Sequence, residues 1–251
     1  MPTLVLTIAG PLQAWGTGSR FSSRQTELAP SKSGVIGLVA AAQGLRRTEP
    51  LTELAGLRFG VRADQPGSVL RDFQTARTDD GSGSSISDRY YLSDAVFLAA
   101  LQSEDLQWLQ RIQGYVRRPV YPLYLGRRSC PPSGPVQSEL FDGDIEEAFE
   151  SVPWKACVSE RLLQREYPQV CLETRIDTAA GEVGAMRQKD VPVSFAPERR
   201  EHRWREVDFG QVWVPNPEFR GSDEPTASGS KLNAIDGVDI HDVFAAIPEG
   251  A

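Results

Sequence analysis

With 251 residues, 40% of them hydrophobic and 24% charged, the chain can bury a sizeable core as one large domain or two small ones. No apolar run approaches the ~20 residues that span a bilayer, which excludes a helical membrane protein. A formal charge of −7 argues against a generic nucleic-acid binder, yet residues 1–142 hold 15 Lys and Arg against 13 Asp and Glu, whereas residues 143–251 hold 12 against 21. Any polyanion site is therefore expected in the first part. The basic residues are mostly arginine, which suits forked phosphate contacts, although a GC-rich genome gives the same bias.

Met1-Pro2-Thr3-Leu4 enters a strand pattern directly, without the basic leader of an exported protein. The strand Thr3 to Ala9 breaks at Gly10-Pro11. Leu12-Gln13-Ala14-Trp15-Gly16 follows, then a polar segment with Arg20 and Arg24. A tryptophan in a glycine-flanked loop can stack on a base or plug the core, and the core is favoured.

The next stretch, Pro30-Ser31-Lys32-Ser33-Gly34 followed by the uncharged run Val35 to Ala42 and Gly44, predicts a buried helix with a serine N-cap and a glycine stop. Free backbone N–H groups, two hydroxyls and the Lys32 ammonium at its positive end make an anion site, with phosphate the first choice. The same spacing also fits a plain capped core helix with one solvated lysine.

Leu57 to Ala63 alternates as a strand, Gln65-Pro66-Gly67 turns, and Val69 to Gln74 continues. Arg77 to Arg89 has the composition of a mobile tip, and Tyr90 to Ala99 resumes as strand, giving a protruding hairpin at about 70–99. Ser103 is expected to cap a helix to about Gly114. The order β-α-β-β-β-α is α+β and close to a ferredoxin-like split βαβ with an extended hairpin. Pro119 to Leu125 is expected as its last, edge strand.

Gly126-Arg127-Arg128-Ser129-Cys130-Pro131-Pro132 then holds two arginines on a rigid loop, suited to phosphate or to a solvated turn. Residues 143–214 read as a small β-rich part, with an acidic helix at Asp144 to Glu150 and strands at Val170 to Ile176 and Gln211 to Val214. The polar stretch Asp177 to Trp204 lies between those strands, and residues 215–251 read as an acidic linker and tail.

Catalytic chemistry finds little support. Three widely spaced cysteines give neither a disulfide framework nor a zinc site, and a reducing cytoplasm fits them. The two histidines, His202 and His241, complete no triad or metal motif, and Lys32 lacks the upstream glycine of a P-loop. No cofactor or metal is expected. A metal-independent ribonuclease stands as the alternative to a binding protein, with no side chain singled out as its base.

Three stretches in order carry a resemblance: Leu12-Gln13-Ala14-Trp15-Gly16, Pro30-Ser31-Lys32-Ser33-Gly34 and Tyr124-Leu125-Gly126-Arg127-Arg128-Ser129-Cys130-Pro131. Together they resemble the CasD family of type I-E CRISPR Cascade subunits, within the repeat-associated mysterious protein (RAMP) superfamily. The resemblance covers roughly residues 3–140 and leaves the acidic tail unexplained. It implies a ferredoxin-like, RRM-type domain with a thumb hairpin, and a non-catalytic subunit that grips the 5′ handle of the crRNA. The implied neighbours are the backbone subunits and the large subunit, with target DNA reached only indirectly. On this resemblance Gln13, Arg20, Arg24, Ser31, Lys32, Ser33, Gly34, Arg127, Arg128 and Ser129 are candidate RNA contacts, and Trp15 and Tyr124 are candidates for base stacking. Arg71, Arg77 and Arg89 are candidates for contacts from the thumb.

Overall fold

The computed structural model describes residues 1–16, 23–77, 79, 83–179 and 181–220. The expected tail from 221, including a docking helix at Leu232 to Ile247, lies outside the described residues, as does Arg20.

Strand β1 (Pro2–Ala9) is an interior strand, next to one edge, of a sheet covered on both faces. Leu4, Leu6 and Ile8 enter one core, and Val5 enters another on the opposite face. Two short strands, β2 (Leu12–Gln13) and β3 (Ser23–Arg24), lead to helix α1 (Lys32–Gln43). Ser31 caps α1 by accepting from the Gly34 N–H, and Gly44 ends it in the left-handed region at φ 82°. Both ends match the sequence pattern. After the short α2 (Thr52–Ala55), β4 (Arg58–Gln65) joins the sheet, while β5 (Ser68–Arg77) and β6 (Ser84–Ser93) form the hairpin.

The hairpin corrects one expectation. The ladder from Ser68↔Ser93 to Arg77↔Ser84 runs through residues whose composition suggests mobility. Cross-strand backbone bonding supplies the order, and β2 and β3 hold the base of β6. The single strand expected over Tyr90 to Ala99 is two, split at Asp94 (φ 56°), beyond which β7 (Val96–Gln102) returns to the main sheet. Asp105, not Ser103, caps α3 (Leu106–Arg117) by accepting from the Trp108 N–H.

Residues 119–125 are not a strand. Val120 and Tyr121 instead donate to the carbonyls of Ala42 and Ala41, satisfying the end of α1. The edge position is taken by β8 (Gln137–Asp142), paired antiparallel to β1. The later elements are α4 (Ile145–Ser151), α5 (Val158–Leu163), β9 (Gln169–Thr178), β10 (Met186–Ser194) and β11 (Glu201–Pro215). Residues 177–204, expected to be a polar connection, contribute β10 and the start of β11.

Among the described residues the main sheet has seven antiparallel strands in the order β10-β11-β9-β4-β7-β1-β8. The β-rich part after residue 143 therefore extends the first sheet through the β4–β9 pairing and builds no sheet of its own. Helices α1 and α3 cover one face, and α4 covers the other with Ile145 and Phe149 against Val5, Leu98 and Ala100. No helix among the described residues is long and apolar enough to cross a membrane.

A buried pair, Arg62 with Asp64, ties α4 to the centre of the sheet. Arg62 donates to the carbonyls of Phe149, Val152 (2.8 Å) and Pro153 (3.2 Å), which lie at and beyond the C-terminus of α4. Asp64 accepts from the Lys155 N–H at 2.6 Å. A cation at that helix end also meets the negative end of its dipole.

Candidate functional site

The first two motifs meet inside the protein. Trp15 is buried and donates from Nε1 to Gln13 Oε1 at 3.0 Å, and Gln13 Nε2 donates to the Ala95 carbonyl at 2.7 Å. Gly34, on the first turn of α1, leaves room for the indole: a Cβ there would lie 2.7 Å from Trp15 Cε3. The two motifs are thus complementary surfaces of one packing contact.

The start of α1 does hold an anion, and the anion is internal. Asp190 Oδ2 accepts from the Lys32 backbone N–H at 2.8 Å, and Lys32 Nζ pairs with Asp177 Oδ2 at 2.8 Å. Arg205 joins the two carboxylates, donating to Asp190 Oδ1 at 2.6 Å and to Asp177 Oδ1. Lys32 is 5% exposed, so this cluster holds its ammonium nearly out of water. Burial works against the charge on Arg205, but Asp190 and then Asp177 outweigh it and raise its pKa above the ordinary arginine value.

The third motif is held by its glycine. Gly126 has φ 85°, and a Cβ there would sit 1.7 Å from the Ala14 carbonyl oxygen. Ala14 donates to the Leu125 carbonyl (3.0 Å) and Leu125 to the Cys130 carbonyl (2.7 Å), closing the loop against the first motif. Arg127 turns inward, donating to the carbonyls of Tyr90 (3.1 Å), Arg24 (2.7 Å) and Gln25 (3.3 Å), with its guanidinium 4.7 Å from the Tyr91 ring.

Between this loop, the exposed side of α1 and the β10–β11 connection lies an open groove of about 1570 Å³. Arg24, Arg127 and Arg128 line one side, and Arg46 and Arg47 stand just past the end of α1. Lys189 and Arg200 close it from β10 and the residue before β11. Against these seven cations stands, among the described residues, one carboxylate, Glu201, which already pairs with Arg199 at 3.1 Å. Tyr121 and Tyr124 add aromatic surface, and Ser33 and Gly34 form part of the floor. His202 also lines the groove; burial, aided by Arg200, pushes its imidazole below the ordinary histidine range, so it is neutral near pH 7. Burial also raises the pKa of the Cys130 thiol, the buried cysteine of the third motif.

Residues 3–208 match the family described as CRISPR-associated protein (Cas_Cas5). The chain belongs to that family. It is 35% identical to the CRISPR system Cascade subunit CasD of Escherichia coli (strain K12), over 53% of this chain and 68% of that protein. Among solved structures, a chain of a "CRISPR RNA-guided surveillance complex" superposes with a TM-score of 0.71 at 30% identity, covering 87% of this chain and 93% of its own length. A "Crystal structure of Cas protein" gives a TM-score of 0.64 at 34% identity, covering 86% and 97%.

Within this CRISPR-associated chain the expected site residues fall into three groups. Arg24, Ser31, Ser33, Gly34, Tyr124, Arg127 and Arg128 line the groove, together with the edge of Trp15. Gln13, Lys32 and the body of Trp15 turn inward and are engaged within the protein, Gln13 with Ala95, Trp15 with Gln13, and Lys32 with Asp177 and Asp190. Ser129 is exposed beside Cys130 but does not line the groove.

The hairpin arginines are a separate set. Arg71 pairs with Asp88 across the strands at 2.9 Å, Arg77 is exposed, and Arg89 is half-buried with Nε lacking a hydrogen-bond partner. Sequence reasoning missed Arg46, Arg47, Lys189, Arg200 and His202 as members of the groove. The Arg46-Arg47 pair directly after the helix-ending Gly44 was the available signal; the others reach the groove only through β10–β11 pairing.

Proposed function

We propose that this chain is a non-catalytic RNA-binding subunit of a Cascade-type CRISPR surveillance complex, and that the groove holds the 5′ handle of the crRNA. The observation that carries the reading is the groove itself, where the described residues supply seven basic side chains and one already paired carboxylate, in a member of this family. Arg128 is exposed and makes no ion pair or hydrogen bond with a described residue, as an RNA-facing arginine requires. Tyr124 beside it is placed to stack on a splayed base.

The sheet order β4-β7-β1-β8, with α1 and α3 on one face, supports the ferredoxin-like, RRM-type description of the first part. On the hairpin, Val69, Phe73 and Ile86 share one exposed face by register, which suits a contact with the backbone subunits. The large subunit would then lie against the remaining surface, in the cytoplasm. The test is binding of a labelled 5′-handle RNA by the full chain across a salt series. The slope of log affinity on log salt should fall by about 0.7 for each phosphate-contacting cation removed from Arg46, Arg47, Arg128 and Arg200. An unchanged slope in the fourfold alanine variant would refute the groove as the RNA site.

One observation favours the endoribonuclease alternative: His202, neutral and surrounded by cations in the groove, has the character of a general base. Metal-free cutting of unprocessed repeat RNA, abolished by His202→Ala, would establish it. The binding reading expects intact RNA.

A further inference from the structure

Beside the groove, the β10–β11 pair carries a second feature. Strand alternation aims Asp190 and Arg205 at the base of α1, so Trp204 and its register partner Lys189 project from the other face. Trp204 is 54% exposed, and its indole N–H makes no hydrogen bond with a described residue. The Arg187 guanidinium lies 5.2 Å from its ring centre and Lys189 Nζ lies 5.9 Å from it. Lys189 also lines the groove, and Trp204 stands four residues along the strand from Arg200, about 13 Å at strand spacing. On the same face, the register partner of Arg187 is Glu206, whose carboxylate accepts from the Gly181 N–H at 2.7 Å.

We infer that Trp204, flanked by Arg187 and Lys189, is a stacking platform for one unpaired base of a single-stranded RNA whose neighbouring phosphates lie in the groove. The inference rests on the RNA-binding reading above and extends its track onto the outer face of the β10–β11 pair. A large exposed indole offers its π-face to any base, and flanking cations attract the phosphates on either side while enriching the ring's cation contacts. The Lys189 side chain belongs to both surfaces and so makes the path continuous.

The test uses the full chain and a labelled unpaired RNA of about 8 nucleotides, read by fluorescence anisotropy, together with the same RNA made abasic at each position in turn. Trp204→Ala should weaken binding about tenfold with no change in salt slope, since no charge is removed. Trp204→Phe should retain most of the affinity. One abasic position should cost the wild-type chain the same factor and cost Trp204→Ala nothing further. Wild-type affinity in Trp204→Ala, or an equal loss at every abasic position, overturns the platform and leaves the groove reading standing. Absence of RNA binding by the wild-type chain overturns the groove reading and the platform together. The abasic series on the wild-type chain decides the matter even if Trp204→Ala lowers the melting temperature.

Discussion

Two clusters of charge flank α1, and they do opposite things. At the helix start, Lys32 and Arg205 are matched by Asp177 and Asp190, nearly out of water. In the groove, Arg24, Arg46, Arg47 and Arg128 are exposed, and their guanidinium groups pair with no carboxylate among the described residues. Removing one member of a buried, hydrogen-bonded set leaves another charge desolvated and unpaired, which costs about 3–5 kcal/mol. Removing an exposed arginine costs the fold almost nothing and changes only what the surface attracts. The difference teaches that a basic residue's role is set by where its nearest carboxylate lies, more than by its own type.

The largest expected effect comes from Lys32→Glu. It breaks the Asp177 pair and adds a third carboxylate to Asp177 and Asp190, so urea unfolding should show a loss of about 3–5 kcal/mol or more. A lysine that only solvated a helix start would give equal or slightly higher stability, because a carboxylate there is mildly favourable. Unchanged stability would erase the distinction between the two clusters.

Arg127→Ala should come next. Its three backbone acceptors and the Tyr91 contact are only partly shielded from water, so a loss of about 1–2 kcal/mol is expected, with RNA affinity falling as the loop loosens. Arg128→Ala, one residue away, should leave the melting temperature within experimental error. Its loss should appear only in RNA affinity and in the salt slope. If the two variants behave alike, the inward and outward assignment of these arginines is wrong.

The smallest effect is a pH dependence. The imidazole of His202 titrates below its ordinary value in the folded protein, so the unfolded chain binds the proton more readily. Its contribution to stability is present above the ordinary histidine range and is lost as pH falls through that range. His202→Gln should flatten the stability profile there and nowhere else. Because protonation adds a cation to the groove, RNA affinity in the native chain should rise slightly as pH falls below that range. A pH profile identical in both proteins would remove His202 from the groove's electrostatics.

Local chemistry made the ends of α1 legible: proline, a serine cap and a stopping glycine each act within a few residues, and the helix starts and ends where they dictate. The hydrophobic runs of β1 and the acidic helix α4, with Asp144 and Glu147 as a capping box, were legible for the same reason. The need for an anion at the α1 N-terminus was also inherent in the sequence, since unpaired N–H groups and Lys32 demand one. Which anion fills it was not. Asp177 and Asp190 lie 145 and 158 residues away in the chain from Lys32, and only the pairing of β9 and β10 with β11, and of β9 with β4, delivers them. The same pairing carries Lys189, Arg200 and His202 to the groove and sets Trp204 on the outer face. Sequence by itself fixes short-range geometry and the sign of local charge; strand register, a long-range property with no local signature, decided which charges were neutralised and which were left facing water.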